Sequence, residues 1–281
     1  MPAQTPIRFH WSRRRDGNSD GVDEFVRFCH DAEAAGVESV HVPIESSLSD
    51  ALALARAAGK HASSVRFRIG WDFGGILASL SGRELLTTWD ALQGRLIVHI
   101  SCAEAEPAIN GNTPAASEFI ANCRALFGES QVPQFDVQGE TAEAAFLAIK
   151  HGDCLWRSPD RPRQVFADAL PVLHFGKEVG MFASIIARNT REEALDAAAT
   201  LLQEHTMHGS YVWIGRTAGS PNTTPALVGS FEWVARAIHE FKASGISQFL
   251  IREWPGRREL TCFGSRILPL VRALESGQPI R

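Results

Sequence analysis

Val65-Arg66-Phe67-Arg68-Ile69-Gly70-Trp71 is the stretch on which the fold turns. Val65, Phe67, Ile69 and Trp71 fall on one face of an extended chain, Arg66 and Arg68 on the other, the period of two that a strand imposes. The next apolar run, Leu96 to Cys102, is hydrophobic at nearly every position. A strand covered on both faces reads that way, as in a parallel sheet with helices over it. Toward the N-terminus, Ile7 to Trp11 reads as a strand and Asp23 to Ala35 as a helix with Phe25, Phe28, Cys29, Ala32 and Ala35 on one face. Gly36 stops that helix, and Val40, Val42 and Ile44 alternate in a second strand. Toward the C-terminus, Phe135 to Val137, Asp153 to Trp156, Gly180 to Ala187 and Ile246 to Arg252 are further strands. Thr190-Arg191-Glu192-Glu193 is a capping box, and Pro162 suits a first helical turn. Strands alternating with helices imply a parallel sheet. Eight such units are economically closed as a single (β/α)8 TIM barrel over 1–281, an α/β fold, since about 250 residues is the usual size. A doubly wound open sheet is the alternative.

The chain has 281 residues, 44% hydrophobic and 21% charged, the composition of an ordinary folded domain. A net charge of −4 gives no nucleic-acid footprint. No apolar run approaches the roughly 20 residues that span a bilayer, so no membrane role is expected. Met1-Pro2-Ala3-Gln4-Thr5-Pro6 lacks a charged-then-apolar signal pattern. Five cysteines, Cys29, Cys102, Cys123, Cys154 and Cys262, are odd in number and widely spaced, which suits a reducing cytoplasm and neither a disulfide framework nor a zinc knuckle.

One segment breaks the rhythm. Residues 208–229 hold a strand-like Tyr211-Val212-Trp213-Ile214 and then a Gly-, Ser-, Thr-, Asn- and Pro-rich run from Arg216 to Pro225. A loop of this length at one end of a barrel reads as an insertion serving as lid or interface. The Gly-x-Ser-x-Gly elbow, the Gly-x-x-x-x-Gly-Lys phosphate loop and Gly-x-Gly-x-x-Gly are all absent. His205 and His208 share a face of an expected helix without a visible third ligand, so no metal site is expected. Arg13-Arg14-Arg15 lies in the first βα loop, where a solvated loop is the simpler reading than an anion site.

A TIM barrel carries its active site at the C-terminal strand ends. Those ends include His10 and Trp11, Trp71 and Asp72, Ser101 and Cys102, Gln138 to Glu140, Trp156 and Arg157, Ser184 and Arg188, and Arg252 to Trp254. Their tryptophans, with Phe73, point to a flat aromatic ligand, although each Trp reads equally well as a plug of the barrel. Asp72 and Arg252 are charges at buried strand ends, and they pair with each other or serve a ligand.

Several stretches resemble the bacterial luciferase-like family of flavin-dependent monooxygenases, in particular its alkanesulfonate monooxygenase branch. Thr224-Pro225-Ala226-Leu227-Val228-Gly229, Ala243-Ser244-Gly245-Ile246-Ser247-Gln248-Phe249-Leu250 and Ile267-Leu268-Pro269-Leu270-Val271 fit its order and spacing. So do Ala32 to Val40 with Val42-Pro43, Trp89-Asp90-Ala91-Leu92-Gln93-Gly94-Arg95, and Arg188-Asn189-Thr190-Arg191-Glu192-Glu193-Ala194. The chain departs from the family at Leu48, Phe182, Ser184 and Trp254, where the resemblance places a cysteine, a catalytic arginine and histidine, and a tyrosine. Ser130-Gln131-Val132-Pro133 stands in for a longer insertion, and the phosphate loop reads Gln138-Gly139-Glu140-Thr141. His99 takes the place of a frequent asparagine, or is a hydrogen-bonded core residue.

The resemblance implies a monooxygenase fed reduced FMN by a separate flavin reductase and using O2 on a small organic substrate. The flavin is expected over Trp71, Asp72, Ser101 and Cys102, with its phosphate at Gly139 and Thr141 and with Glu140 turned to solvent. Trp156 and Arg216 are the candidate substrate contacts, and Arg252, Trp254 and His10 the candidate catalytic residues. Cys102 reads as a small polar lining rather than a nucleophile. A homodimer, or a heterodimer with a paralogue, is expected through the early helices, where Ala51, Leu52, Leu54, Ala55 and Ala58 form an apolar excess. A catalytically silent flavin-binding or partner subunit and a deazaflavin-dependent oxidoreductase are the competing readings.

Overall fold

The computed structural model describes residues 6–12, 21–42, 44, 47–72, 82–102, 112–127, 132–157, 170–208, 212–217, 223–252 and 258–280. In chain order the elements begin β1 (Arg8–Ser12), α1 (Val22–Ala34), β2 (Ser39–Val42), α2 (Leu48–Gly59), β3 (Arg66–Asp72), α3 (Gly82–Ala91), β4 (Leu96–Ser101), α4 (Asn112–Phe127), β5 (Gln134–Gln138), α5 (Ala142–His151) and β6 (Cys154–Arg157). There follow β7 (Glu178–Arg188), α6 (Arg191–Leu201), β8 (Leu202–His208), β9 (Val212–Thr217), β10 (Thr223–Ser230), α7 (Phe231–Ala243), β11 (Gln248–Arg252), α8 (Arg258–Cys262), a π-helical turn (Phe263–Ile267) and α9 (Leu268–Glu275). Strands β1 to β7 pair in sequence, all parallel, and β11 pairs with both β7 and β1. The sheet therefore closes on itself as an eight-stranded (β/α)8 barrel, as the alternation predicts.

The alternation in β3 has a direct structural meaning. Phe67 and Ile69 point outward into the core between barrel and helices, together with Val40, Val98, Ile100, Val137 and Ile251. Arg68 points inward and is fully buried. Trp11, expected at the mouth, also faces outward: it is buried against Phe263 of the π-helical turn, ring centroids 5.6 Å apart. Glu33 fixes the entry to β3, its Oε1 accepting from the backbone N–H groups of Ser63, Ser64 and Val65 at 2.8, 2.5 and 2.9 Å. Burial raises the Glu33 pKa, but these hydrogen bonds outweigh it and hold the carboxyl down at about 2.

The C-terminal half differs from expectation in three places. First, β7 is 11 residues long and serves two sheets. Its first half closes the barrel against β11, while Ser184–Arg188 pair in parallel with Ala226–Ser230 of β10. Second, the irregular loop expected at 208–229 is largely strand, because β9 pairs antiparallel with both β8 and β10. Ala226 and Val228 bury against Ile186 and, on α6, Ala194 and Ala198, a small core of their own. The C-terminal end of the expected lid is thus part of the sheet. Third, the helix before it stops at Leu201, so His205 and His208 lie on β8 and the helical spacing that paired them does not apply.

The apolar excess on α2 also has an internal explanation. Ala51, Leu52, Ala55 and Ala58 are buried within the chain, where α2 meets α1, α3 and the barrel, and Leu54 packs on the same core. That stripe is no longer a signal for a dimer.

Candidate functional site

The inward faces of the strands carry a small apolar cluster of Cys154, Trp156, Phe182 and Leu250 and, around it, polar groups that are wired together. Arg68 pairs through Nη1 with Asp136, both side chains wholly buried. The same Nη1 lies 3.2 Å from His99 Nδ1, and His99 Nε2 lies 2.9 Å from Gln138 Oε1. Because the guanidinium is donor-only, His99 Nδ1 accepts and its proton sits on Nε2, donating to Gln138. Asp136 also accepts from Trp156 Nε1 and Gln134 Nε2, each at 2.8 Å. The Arg68 guanidinium carbon lies over the Trp156 indole, 4.5 Å from its centroid.

A second chain runs through β1 and β11. Gln248 Nε2 donates to Glu178 at 2.7 Å, so its Oε1 accepts from His10 Nε2 at 2.9 Å, and His10 Nδ1 accepts from the Ser39 hydroxyl at 2.7 Å. Glu178 pairs with Arg8, Glu38 bridges Arg8 and Arg66, and Arg66 donates to Gln134 at 2.8 Å, which joins the two chains. Burial, then the nearby Arg68 charge, keeps His10 neutral, its pKa well below the usual value. His99 is pushed down to about 4 by burial and then Arg68. His41 falls to about 3, chiefly by burial, with His99, Arg68 and Arg252 adding to it. The barrel therefore holds three neutral imidazoles at neutral pH.

At the C-terminal end, β3, β4 and β5 finish level: Asp72 is in register with Ser101, and Ser101 with Gln138. Cys102 donates its backbone N–H to Gln138 at 2.8 Å. Gly139 follows, and here the missing side chain is required. A Cβ would stand 2.7 Å from Ala144 Cβ and 3.2 Å from the Cys102 carbonyl oxygen, so only glycine lets α5 start this close to the end of β4. Thr141 is the N-cap of α5, its hydroxyl accepting from the Ala144 N–H at 3.2 Å. Glu140 is exposed and paired: Arg157 Nη1 is 3.4 Å from Glu140 Oε2. That arginine, at the end of β6, supplies the cation near α5 that the residues after Gly139 do not.

The expected site residues separate into groups. Ser101, Cys102, Gly139 and Thr141 come together at the mouth, and the backbone places Trp71 and Asp72 on the strand beside Ser101. Burial pushes the Cys102 thiol up to about 11, so at neutral pH it is a small protonated lining. Arg252 ends β11 with its guanidinium 5.0 Å from the Phe182 ring, and burial lowers its pKa. Trp156 is fully buried and committed to Asp136, so it plugs the barrel rather than lining its mouth. His10 lies just as deep, both ring nitrogens bonded, and offers no nitrogen to a ligand. Arg216 lies on β9; Trp254, Phe73, Arg13, Arg14 and Arg15 fall outside the described residues.

Sequence reading passed over Arg68, Asp136 and His41. The signal was present: each lies on the inward phase of its strand, where an uncompensated polar group is costly and implies partners. Among the described residues no group of three or more His, Cys, Asp and Glu side chains is placed to hold a metal, and no helix is long and apolar enough to cross a membrane.

No protein-family model and no curated protein matches the sequence. Solved structures do match in shape. A long-chain alkane monooxygenase aligns with a TM-score of 0.72 at 10% identity, covering 99% of this chain and 93% of that one. The EDTA monooxygenase of Chelativorans sp. BNC1 aligns at 0.72 and 11%, covering 97% and 98%. The fold is luciferase-like. An F420-dependent secondary alcohol dehydrogenase aligns at 0.66 and 14%, covering 95% and 100%, so the same luciferase-like barrel also frames a different chemistry.

Proposed function

We propose that the chain is a flavin-dependent monooxygenase that takes reduced FMN from a separate reductase and uses O2 on a small organic substrate. The observation that carries this reading is the assembled C-terminal mouth. Ser101 and Cys102, the Gly139 approach and the capped start of α5 lie together on a barrel whose full-length structural neighbours include two monooxygenases. The residues present fit a flavin phosphate. The first turn of α5 offers backbone N–H donors and the positive end of the helix dipole. Glu140, which would repel an anion, is paired with Arg157, and the buried Arg157 Nε has no partner among the described residues.

Reduced FMN would supply the two electrons and the oxygen chemistry. The protein's part is to hold and shield. Gly139 and Thr141 would hold the phosphate and Ser101 and Cys102 would line the ring, with Trp71 and Asp72 the further candidates from the strand beside them; Arg252 would orient an anionic oxygen of the substrate, and Trp254 and Arg216 remain candidates from the sequence alone. His10 and Trp156 act from below, as a bonded layer that keeps water out of the barrel. The alkanesulfonate branch remains our reading of the sequence motifs, and we extend it to a dimer of this chain or with a paralogue. A sedimentation mass near that of the single chain would reject the dimer.

The F420-dependent neighbour favours one second reading, a deazaflavin-dependent oxidoreductase. Titration of the purified protein with oxidised FMN, reduced FMN and F420, followed by fluorescence and the visible spectrum, tests both. Reduced FMN binding most tightly, with reductase-dependent O2 uptake on substrate addition, is expected. Preference for F420 selects the second reading. Binding of none of the three, in wild type and in Thr141→Arg, overturns both and leaves a silent partner subunit.

A further inference from the structure

Among the described residues, three buried polar atoms are left without partners in one part of the barrel: Arg68 Nε, Arg68 Nη2 and His41 Nδ1. Orphaned donors of a buried charged group are costly, and each such group calls for a partner. Their arrangement is specific. Arg68 spends only Nη1, on Asp136 and His99 toward β4 and β5. A guanidinium is a planar triangle, so its Nε–Nη2 edge faces away from Nη1. That edge is the two-pronged fork that matches the two oxygens of a carboxylate. His41 is the cross-strand neighbour of Arg68, inward-facing on β2. Its ring leans over Gly70, where a Cβ would meet His41 Cε1 at 3.3 Å. Gly70 is the next inward position above Arg68 on β3, and the His41 ring takes the space that a side chain there would fill.

We propose that Arg68 and His41 form a carboxylate subsite at the base of the barrel mouth. The carboxylate accepts from Arg68 Nε and Nη2, and His41, neutral in its Nδ1–H form, donates to one of the same oxygens. The subsite does not depend on a flavin, and its occupant is either a free small carboxylate or the carboxylate end of a substrate standing in the mouth.

The test uses the full chain without flavin. Sodium acetate and sodium hexanoate are titrated calorimetrically at constant ionic strength, and the 15N–1H resonance of Arg68 Nε is followed by NMR. Saturable binding is expected, with the Arg68 Nε–H signal moving in step and affinity falling at least tenfold in His41→Leu and Gly70→Val. Binding of both acids identifies a substrate end, and binding of acetate alone a small free carboxylate. If a single variant fails to fold, the Arg68→Met/Asp136→Asn double variant, which removes both charges together, must abolish binding. Absence of saturable binding to wild type, or equal binding in the variants, overturns the subsite. FMN titration is a separate measurement, so failure here leaves the flavin reading intact and the reverse holds too.

Discussion

Gly180 lies directly beneath Trp156: a Cβ at position 180 would stand 2.7 Å from the indole Cδ2 and Cε3. The glycine is what lets a fully buried tryptophan lie across the barrel between β6 and β7. From there it reaches Asp136 with its N–H and carries Arg68 on its face. Gly180→Ala is expected to destabilise the protein by about 1–3 kcal/mol, the usual cost of overpacking a close-packed core. Chemical denaturation measures it, and a cost below about 0.5 kcal/mol would show that the indole moves aside freely.

Arg68 and Asp136 are expected to be strongly coupled. Removing the arginine alone leaves a carboxylate in the barrel with only the Trp156 and Gln134 donors, which typically costs about 3–5 kcal/mol. Arg68→Met should therefore be clearly less stable than Arg68→Met/Asp136→Asn, in which no charge is stranded. Equal stability of the two variants in a denaturant series would show that the pair is not coupled.

How far the sequence foretells this interior is instructive. The strand order, the barrel and the outward face of β3 follow from periodicity, because the pleat sends alternate residues to opposite sides. The same periodicity put Arg66 and Arg68 on the inner face, but it assigns no partners. Asp136 and His99 come from other strands, and only closure of the sheet brings them to Arg68. Trp11 and Trp156 look alike as strand-end aromatics; they separate only once strand phase sends Trp11 to Phe263 and Trp156 to Asp136. The strand-like Tyr211–Ile214 foretold β9, but β8 and β10 were missed; β10 depends on a non-local pairing with the far half of β7, which a Gly- and Pro-rich segment does not announce. At the mouth, Gly139 and Thr141 were picked out by the resemblance to a phosphate loop. The Glu140–Arg157 pair was not, since it joins two different βα loops.

Stability should fall in mild acid for a definable reason. His10, His41 and His99 are all held below their ordinary value, His41 at about 3 and His99 at about 4. Between pH 6.5 and about 4 the unfolded chain therefore binds protons at these sites and the folded chain does not. The unfolded state binds more, so unfolding free energy rises with pH through this window and levels off above it. Each histidine contributes a slope of up to about 1.4 kcal/mol per pH unit. Equilibrium unfolding near pH 5 should reveal an uptake of about three protons, falling to about one or fewer at pH 7, and His41→Phe should remove one of the three. A pH-independent stability between 4.5 and 6.5 would mean that the imidazoles are not buried neutral.

The phosphate end of the proposed flavin site makes a sharper demand. Arg157 faces two anions there, Glu140 at 3.4 Å and whatever binds at the start of α5. Glu140→Gln keeps the shape and removes the competitor, so FMN should bind about two- to fivefold tighter, the effect of roughly 0.5–1 kcal/mol from one partly exposed charge. Riboflavin, which has the same ring system and no phosphate, should bind as before. Arg157→Met should weaken FMN by more than tenfold and again leave riboflavin alone, because it removes the cation that answers both Glu140 and the phosphate. Thr141→Ala is the control for structure: loss of the N-cap should cost about 1 kcal/mol of stability without changing the preference between the two ligands by more than the cap's hydroxyl explains. The informative quantity is the ratio of FMN to riboflavin affinity, read by fluorescence quenching. If Glu140→Gln and Arg157→Met shift both ligands equally, the phosphate does not lie at the start of α5, and the flavin must be sought elsewhere on the mouth or not at all.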